Sequence, residues 1–283
     1  LTGDTMSAQR ALLIILDEKI RSDRLVLPTL PDIALKVRER ADDPQISLQQ
    51  MANVISQDPA LSARMIKVAN SAFMGRSIQV NSLNQAVTRI GLSQIKNISI
   101  AMAMEQLFVS QHKQVQQQLD RLWRDSVQTA SVAVACLQFH KALHSSCKLN
   151  IDVMALAALV HNIGALPVLI EAERHPEVFG HPAFMQVLID KIAAIIGLKI
   201  IKNWGFGEEF MPVVEHWRTP QSEPVPGYTD FIRLAAINRN YYLPEQAQVL
   251  LANYVAHQLV PVPEFMQQPE IAGCYQDVRA LFQ

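Results

Sequence analysis

The chain has 283 residues, 49% of them hydrophobic, which is enough to bury one large core or two smaller ones. Lys and Arg (25) nearly cancel Asp and Glu (26), which argues against general nucleic-acid binding, because affinity for a polyanion comes mainly from neutralising its phosphates. No uninterrupted apolar run reaches the roughly 18 residues of a membrane-spanning helix, and no signal-peptide order opens the chain, so a cytoplasmic protein without membrane contact is expected.

The first third of the sequence predicts short helices with clear start signals. Ser47 with Gln50 forms a capping box, and Asp58 can cap a helix whose first position is Pro59. A surface loop is predicted over 75–81. The predicted helices cover 6–20, which is amphipathic, and 31–41, then Ser47 through Ser56, Asp58 to about Phe73–Gly75, and a capping-box helix from Ser82 that stops at Gly91.

Helical spacing continues through the rest of the sequence. Asp152 is predicted to cap a strongly apolar helix that leads into His161. Further helices are predicted over 92–109, 111–139, 153–160, 183–203, 208–217, 229–242 and 245–258. Because no alternating strand pattern of useful length occurs and Gly and aromatic residues are sparse, the fold class is predicted to be all-α.

Four sequence blocks in the first half of the chain carry a family resemblance. They are Pro28–Pro31 (PTLP), Gln57–Leu61 (QDPAL), Val68–Phe73 (VANSAF) and Gln85–Leu92 (QAVTRIGL). In this order and spacing they resemble the HDOD family, and the similarity runs from about 25 to 240. The resemblance implies an all-helical fold in which a family-specific bundle packs on a lobe related to the HD-type metal-dependent phosphohydrolases.

The resemblance also implies a division of the chain into two lobes. The boundary is placed near 110–118, where a Gln-rich, polar stretch becomes rich in Ala and Val. The expected units are an N-terminal amphipathic helix (1–24), an HDOD-specific helical lobe (25–115), an HD-like helical lobe (116–242) and a C-terminal helical extension (243–283).

The relationship to the HD hydrolases raises the question of a metal. A divalent ion that activates water for attack on phosphorus needs several imidazole and carboxylate ligands and one open coordination position. Of the ligand positions that the resemblance implies, only His161 keeps its residue. The matching positions in this sequence hold Asp125, His161, Asn162, Ala193, Trp217 and Arg218.

These replacements predict a degenerate metal site, that is, one whose ligands have been lost. Asn162 offers only a neutral carbonyl oxygen, and Arg218 adds positive charge where a cation would have to lie. We therefore expect no catalytic residues and no cofactor, with His161 a hydrogen-bonded core histidine. One alternative stays open, namely a divalent metal held by Asp125, His161 and His216, which lies one place before the family position.

The first lobe offers a second candidate site. Asp58, Asn70, Ser71 and Arg89 are its most family-like polar residues, and they could form a groove for a partner or ligand. The same residues could instead cap and terminate helices, which the sequence does not separate from binding.

Two functions from different classes remain. The resemblance implies a regulatory domain of bacterial signal transduction that binds a protein or a small signalling molecule. The alternative is a metal-dependent phosphohydrolase that acts on a nucleotide or phosphodiester and uses the unusual ligand set. The apolar stripe of the N-terminal helix is expected to cover the bundle, and the alternative is that it forms a homodimer.

Overall fold

The structure, a computed structural model, describes residues 2–71, 74, 78–174 and 182–282. Every regular element in these ranges is a helix, which confirms the all-α prediction. The α-helices are α1 (Thr2–Arg21), α2 (Asp32–Ala41), α3 (Leu48–Ile55), α4 (Pro59–Ala69), α5 (Leu83–Ile90), α6 (Leu92–Ala103), α7 (Lys113–Leu143), α8 (Ile151–Val160), α9 (Ala165–Ala172), α10 (Pro182–Asn203), α11 (Met211–His216), α12 (Tyr228–Asn238), α13 (Pro244–Ala256) and α14 (Pro269–Leu281).

The predicted helix starts of α3 and α4 are confirmed by their capping bonds. Ser47 Oγ accepts from the Gln50 amide at 3.2 Å, and Gln50 Oε1 accepts from the Ser47 amide at 2.8 Å. Asp58 Oδ1 accepts from the Leu61 amide at 2.9 Å, with Pro59 in the first position of α4. These short-range signals work because they satisfy amides that have no partner inside the helix.

The second capping box is only half formed. Ser82 Oγ accepts from the Gln85 amide at 3.3 Å, but Gln85 Oε1 accepts from the Asn81 amide instead of the Ser82 amide. Gly91 ends α5, as predicted, with a φ of 80°, a positive value that glycine adopts without a steric penalty. Helix α4 ends at Ala69, earlier than the predicted end near 73–75, with Asn70 at its C-terminus. Residues 75–77 of the predicted 75–81 loop lie outside the described residues.

Three further predicted helix ends and one predicted cap differ from the structure. α6 ends at Ala103 and continues as a 3-10 turn to Leu107, α7 extends to Leu143, and α12 stops at Asn238 just before Asn240, whose φ is 55°. Asp152 does not cap α8, because the helix begins at Ile151. Its buried carboxylate instead accepts a hydrogen bond from Asn97 Nδ2 at 2.8 Å.

The long helix α7 is the centre of the molecule. α8, α12 and α14 pack along it, and the edge of Phe282 meets Trp123 on α7 at 6.2 Å between ring centroids. α1 lies on α9 and α10, where Lys19 Nζ donates to Glu171 Oε1 at 2.6 Å. The division of the chain into four units stays a prediction. Both the N-terminal helix α1 and the C-terminal helix α14 pack on helices of the predicted HD-like lobe.

The segment Ile151–Ala172 is long and apolar enough to cross a membrane by composition alone, with a hydropathy of 2.1. It comprises α8, a turn at 161–164 and α9, and 89% of its apolar window is buried inside the protein. Such burial is what a core helix pair of a globular protein shows, so composition here is weak evidence for a membrane span.

A buried ion pair that was not predicted lies where α12 meets α11 and α13. Arg233 Nη1 donates to Asp230 Oδ1 at 3.3 Å, and both side chains are 1% exposed. The Asp230 carboxylate also accepts from Tyr254 Oη at 3.0 Å and from the Gly227 amide at 2.9 Å. Arg233 Nη2 donates to the carbonyl of His216 at 3.1 Å, so the pair fixes the end of α11.

Candidate functional site

A cavity of about 810 Å³ opens beside the turn that joins α8 to α9. Its walls come from α7, the 161–164 turn, α10, the residues after α11 and the connection between α12 and α13. Most of the positions matched to the metal hydrolases line it. The lining includes Gln118, Arg121, Asp125, His161, Asn162, Asp190, Trp217, Arg218, Arg239, Asn240, Tyr241 and Tyr242.

Two glycines bring the 161–164 turn against α10. A Cβ on Gly164 would lie 1.9 Å from the carbonyl oxygen of Ala193 and 2.6 Å from the Gly197 amide nitrogen. A Cβ on Gly197 would lie 2.5 Å from Val214 Cγ1. This close backbone approach buries Ala193 behind the turn, and Ala193 is absent from the cavity lining.

His161 is a buried, neutral histidine. Its Nδ1 lies 2.6 Å from the carbonyl of Ala158, an acceptor, so the proton is assigned to Nδ1. The pKa of His161 is lowered to about 3, first by burial and then by the positive charges of Arg239 and Arg218, against the opposing effect of the Ala158 bond. The ring packs edge-on against Trp217, with centroids 4.8 Å apart.

His161 should make folding stability depend on pH. The unfolded histidine binds a proton below its ordinary pKa of 6.5, whereas the folded one does so only near 3, so stability is lost as pH falls through this window. We expect His161→Gln to remove up to about 1.4 kcal/mol per pH unit of this dependence. Urea unfolding of both proteins at several pH values in the window measures it.

The matched control for this prediction is His257→Gln, which removes an exposed histidine on the surface near the end of α13. It should keep the pH dependence of the wild type. An equally steep dependence in His161→Gln and the wild type would contradict the buried, neutral state of His161.

Arg218 lines the cavity and contacts three of its other residues. Its Nη2 donates to Asn162 Oδ1, its guanidinium lies over the Trp217 ring at 4.5 Å, and its Nε is 3.5 Å from Asp190 Oδ1. Asp190 Oδ1 also accepts from Tyr241 Oη at 2.9 Å. Arg218 Nε and Nη1 and Trp217 Nε1 are buried without a hydrogen-bond partner in the described part of the protein.

Asp125 is paired with an arginine that follows α12. Arg239 Nη2 forms an ion pair with Asp125 Oδ2, and Arg239 Nη1 donates to Thr129 Oγ1 at 3.3 Å. A metal at the Asp125 carboxylate would have to displace the Arg239 guanidinium.

The pKa of the Arg218 guanidinium is lowered by burial, since the side chain is only 12% exposed. Tyr241 and Asp190 act in the opposite direction.

The structure does not bring together the alternative ligand set of Asp125, His161 and His216. The side chain of His216 is 53% exposed, lies 3.6 Å from its neighbour Glu215 and does not line the cavity. A one-residue shift on a helix turns a side chain by about 100°, which explains this position. Among the described residues, no group of three or more His, Cys, Asp or Glu side chains is placed to hold a metal ion.

The donor chemistry of the cavity therefore does not fit a divalent metal. Four of the six matched positions, apart from Asp125 and His161, present an amide already bonded to Arg218, a buried alanine, an indole and a guanidinium. Each of these is either a poor ligand for a hard cation or none at all.

The proposed groove of the first lobe consists of residues that hold backbone groups. Asn70 both donates to and accepts from the Val80 backbone at 2.8 Å, and Ser71 Oγ donates to the Val68 carbonyl at 2.7 Å. Arg89 donates to the carbonyls of Ala69 and Ile78. Asp58 caps α4. Helix capping and loop fixation therefore account for each hydrogen bond that these four residues make. Of the four, only Arg89 lines the shallow pocket nearby.

Several cavity residues were missed from the sequence. Asp190 lies on α10, whereas Arg239 and Tyr241 lie in the connection between α12 and α13, and no local motif marks them. The available signal was the polarity of Asp190 on α10, a helix that is otherwise largely apolar, and this does not specify a partner.

Comparison with known proteins agrees with this architecture. The pattern of the HDOD domain matches residues 27–220. A Treponema pallidum protein, named only as uncharacterized, is 25% identical over 211 residues, which are 70% of this chain. The chain spans only 38% of the length of that relative.

Solved structures resemble the chain over nearly its whole length. A Shewanella amazonensis protein, provisionally named a metal-dependent phosphohydrolase, is 41% identical with a TM-score of 0.92, covering 98% of this chain and 100% of its own. An HDOD domain protein of unknown function from Geobacter sulfurreducens shares the fold at 18% identity, with a TM-score of 0.51 and coverages of 96% and 92%. A Marinobacter aquaeolei protein, provisionally named for signal transduction, is 18% identical with a TM-score of 0.55, covering 100% of this chain and 68% of its own.

Proposed function

The chain belongs to the HDOD domain family, and we propose that it is a non-catalytic regulatory module of signal transduction that binds a protein partner or a small signalling molecule. The family relationship to the HD phosphohydrolases supplies the architecture, and the residues in the cavity supply the reason for a loss of catalysis. We expect the module to work in the cytoplasm without a cofactor, and self-association as a homodimer belongs to the same proposal.

One observation carries the proposal. The Arg218 guanidinium donates to Asn162, so a fixed positive charge and a neutral amide fill the positions that a hydrolase would give to metal ligands. Metal binding there would bring like charges together in a partly buried site, where the repulsion is weakly screened. The ion pair of Asp125 with Arg239 removes the remaining carboxylate from use.

The second candidate is a metal-dependent phosphohydrolase that acts on a nucleotide or phosphodiester. The specific observation in its favour is the 41% identity, over almost the whole of both chains, to the Shewanella amazonensis protein provisionally named as such an enzyme. Under this hypothesis the ligands would have to include His161, whose Nε2 carries the free lone pair of the neutral ring.

Elemental analysis of protein purified without chelators separates the two functions. We expect no stoichiometric divalent metal, because the cavity lacks the charge and number of ligands that a structural or catalytic site needs. Near-stoichiometric metal that is lost in His161→Gln would contradict this expectation and favour the phosphohydrolase.

A carboxylate restored at position 162 tests whether the remaining cavity residues can support catalysis. We expect Asn162→Asp to show no turnover of a chromogenic phosphodiester with added Mn²⁺, because the new carboxylate would pair with Arg218 and the other ligands would still be missing. Asn240→Asp, which adds a charge elsewhere on the same cavity wall, is the control. Turnover in Asn162→Asp alone would overturn the non-catalytic proposal.

A further inference from the structure

Helix α14 lies beyond residues 27–220, the part of the chain that matches the HDOD domain. One face of α14 is buried, and its buried apolar side chains are Ile271, Val278 and Leu281, followed after the helix by Phe282. The opposite face is exposed and includes Glu270, Gly273, Gln276 and Arg279. α14 is therefore an amphipathic helix that docks on the family domain mainly through apolar side chains.

The end of α14 fills a groove between helices from both halves of the chain. Val278, Leu281 and Phe282 meet side chains of α4, α6 and α8 around a cavity of only about 10 Å³, so the fit is close. The opposing side chains are Val68 on α4, Ile98, Ala101 and Met102 on α6, and Ala155 on α8. All of them are apolar, and each is 6% exposed or less. The groove is thus a binding surface for the apolar face of a helix, and α14 occupies it here.

An aromatic cluster extends the groove along α7. The edge of Phe282 meets Trp123, whose ring centroid lies 5.1 Å from that of Phe108. Trp123 is 8% exposed and precedes Asp125 of the cavity lining by two positions on α7. α14 therefore contacts the helix that forms one wall of the cavity, and its departure would expose the Trp123 indole.

Two features favour reversible docking of α14. A helix of 13 residues is only marginally stable in water by itself, and Gly273 in its middle lowers that stability further. Neither packing nor a positive φ requires glycine there, since an added Cβ would meet nothing within 4 Å. In addition, residues 257–268 join α14 to α13 through a short 3-10 turn and irregular chain, so α14 can leave the groove while α13 stays packed.

We propose that this groove is the docking site for an amphipathic helix of a partner protein, and that α14 holds the groove closed until such a helix displaces it. The inference rests on the proposed regulatory function and names the class of protein partner. The spacing of Ile271, Val278 and Phe282 places their side chains on one face of the helix. A partner helix needs apolar side chains at the same spacing, because helix-in-groove docking depends on such anchors.

A fluorescein-labelled peptide of residues 269–283 is the probe, and fluorescence anisotropy with the full chain measures its binding. We expect weak binding to the wild type, because its own α14 occupies the groove. Leu281→Asp should undock α14 by placing a carboxylate at a buried apolar position, and it should bind the peptide at least about tenfold more tightly than the wild type. The tryptophan emission of this variant should shift to longer wavelength and return when the peptide binds.

Gln276→Asp is the matched control, since it adds the same charge on the exposed face of α14. It should bind the peptide within about twofold of the wild type. A second measurement needs no change in the protein. A peptide that carries Gly273→Ala should bind the wild type roughly fivefold more tightly than the unmodified peptide, because it forms a helix more readily.

The proposal is overturned if Leu281→Asp folds but binds the peptide no better than the wild type, or if Gln276→Asp gains as much affinity as Leu281→Asp. If Leu281→Asp does not fold, equal affinity of the two peptides for the wild type overturns it. A wild-type dimer that dissociates in Leu281→Asp, seen by size-exclusion chromatography, would mean that a second copy supplies the helix and would overturn the assignment to another protein.

The outcome is separable from the fate of the proposed non-catalytic function. The groove and the cavity beside the 161–164 turn are lined by different residues. Metal binding or turnover in the cavity would refute the non-catalytic function and leave the docking groove intact. Failure of the peptide to bind Leu281→Asp would refute the groove and leave a small signalling molecule as the regulatory ligand.

Discussion

Gly164→Ala should unfold the cavity wall and cost about 3 kcal/mol or more of the free energy of unfolding. The added methyl group would lie 1.9 Å from the Ala193 carbonyl oxygen and 2.6 Å from the Gly197 nitrogen. Both are backbone atoms in the middle of α10, which cannot move aside as a side-chain end can. The 161–164 turn would have to separate from α10, and the separation would displace His161 and Asn162. Chemical denaturation with urea measures the loss.

A glycine in an open position provides the control for this substitution. A Cβ on Gly273 in α14 would meet nothing within 4 Å, and alanine is the better helix former. Gly273→Ala should therefore be neutral or slightly stabilising. Equal stability of Gly164→Ala and the wild type would show that the turn and α10 are not held as closely as the structure has them.

Asp230→Asn, which keeps the shape of the side chain but removes its charge, should lower the free energy of unfolding by about 3–5 kcal/mol. The change leaves the Arg233 guanidinium, 1% exposed, without its buried countercharge. It also weakens the bonds that the carboxylate receives from Tyr254 and Gly227. Because Arg233 also holds the His216 carbonyl, the end of α11 and the neighbouring Trp217 and Arg218 should become less ordered.

Glu223 gives the comparison for the Asp230 prediction. Its carboxylate lies 3.7 Å from Arg233 Nη1, but its side chain is 46% exposed. Glu223→Gln should cost less than about 1 kcal/mol, as expected for a partly solvated ion pair. The difference between the two variants in urea unfolding isolates the contribution of burial, and similar losses in both would contradict the buried network.

The sequence by itself determined the helical class and the positions of several helix starts. Ser47 with Gln50, and Asp58 with Pro59, act on amides within the next turn, so their effect needs no knowledge of the rest of the chain. The loss of metal ligands was also predictable from the sequence. Whether the side chains of Asn162, Ala193 and Arg218 can coordinate a metal depends on their chemistry and not on the fold.

Tertiary structure alone decided which polar groups meet. Asp152 resembled a helix cap in the sequence, but its carboxylate bonds to Asn97, 55 residues away. Arg239 reaches Asp125 across 114 positions, and Asp230 and Arg233 are buried together although their spacing also suits a solvated helix face. A capping bond is fixed by local backbone geometry, whereas a long-range ion pair depends on how whole helices pack, which no short stretch of sequence encodes.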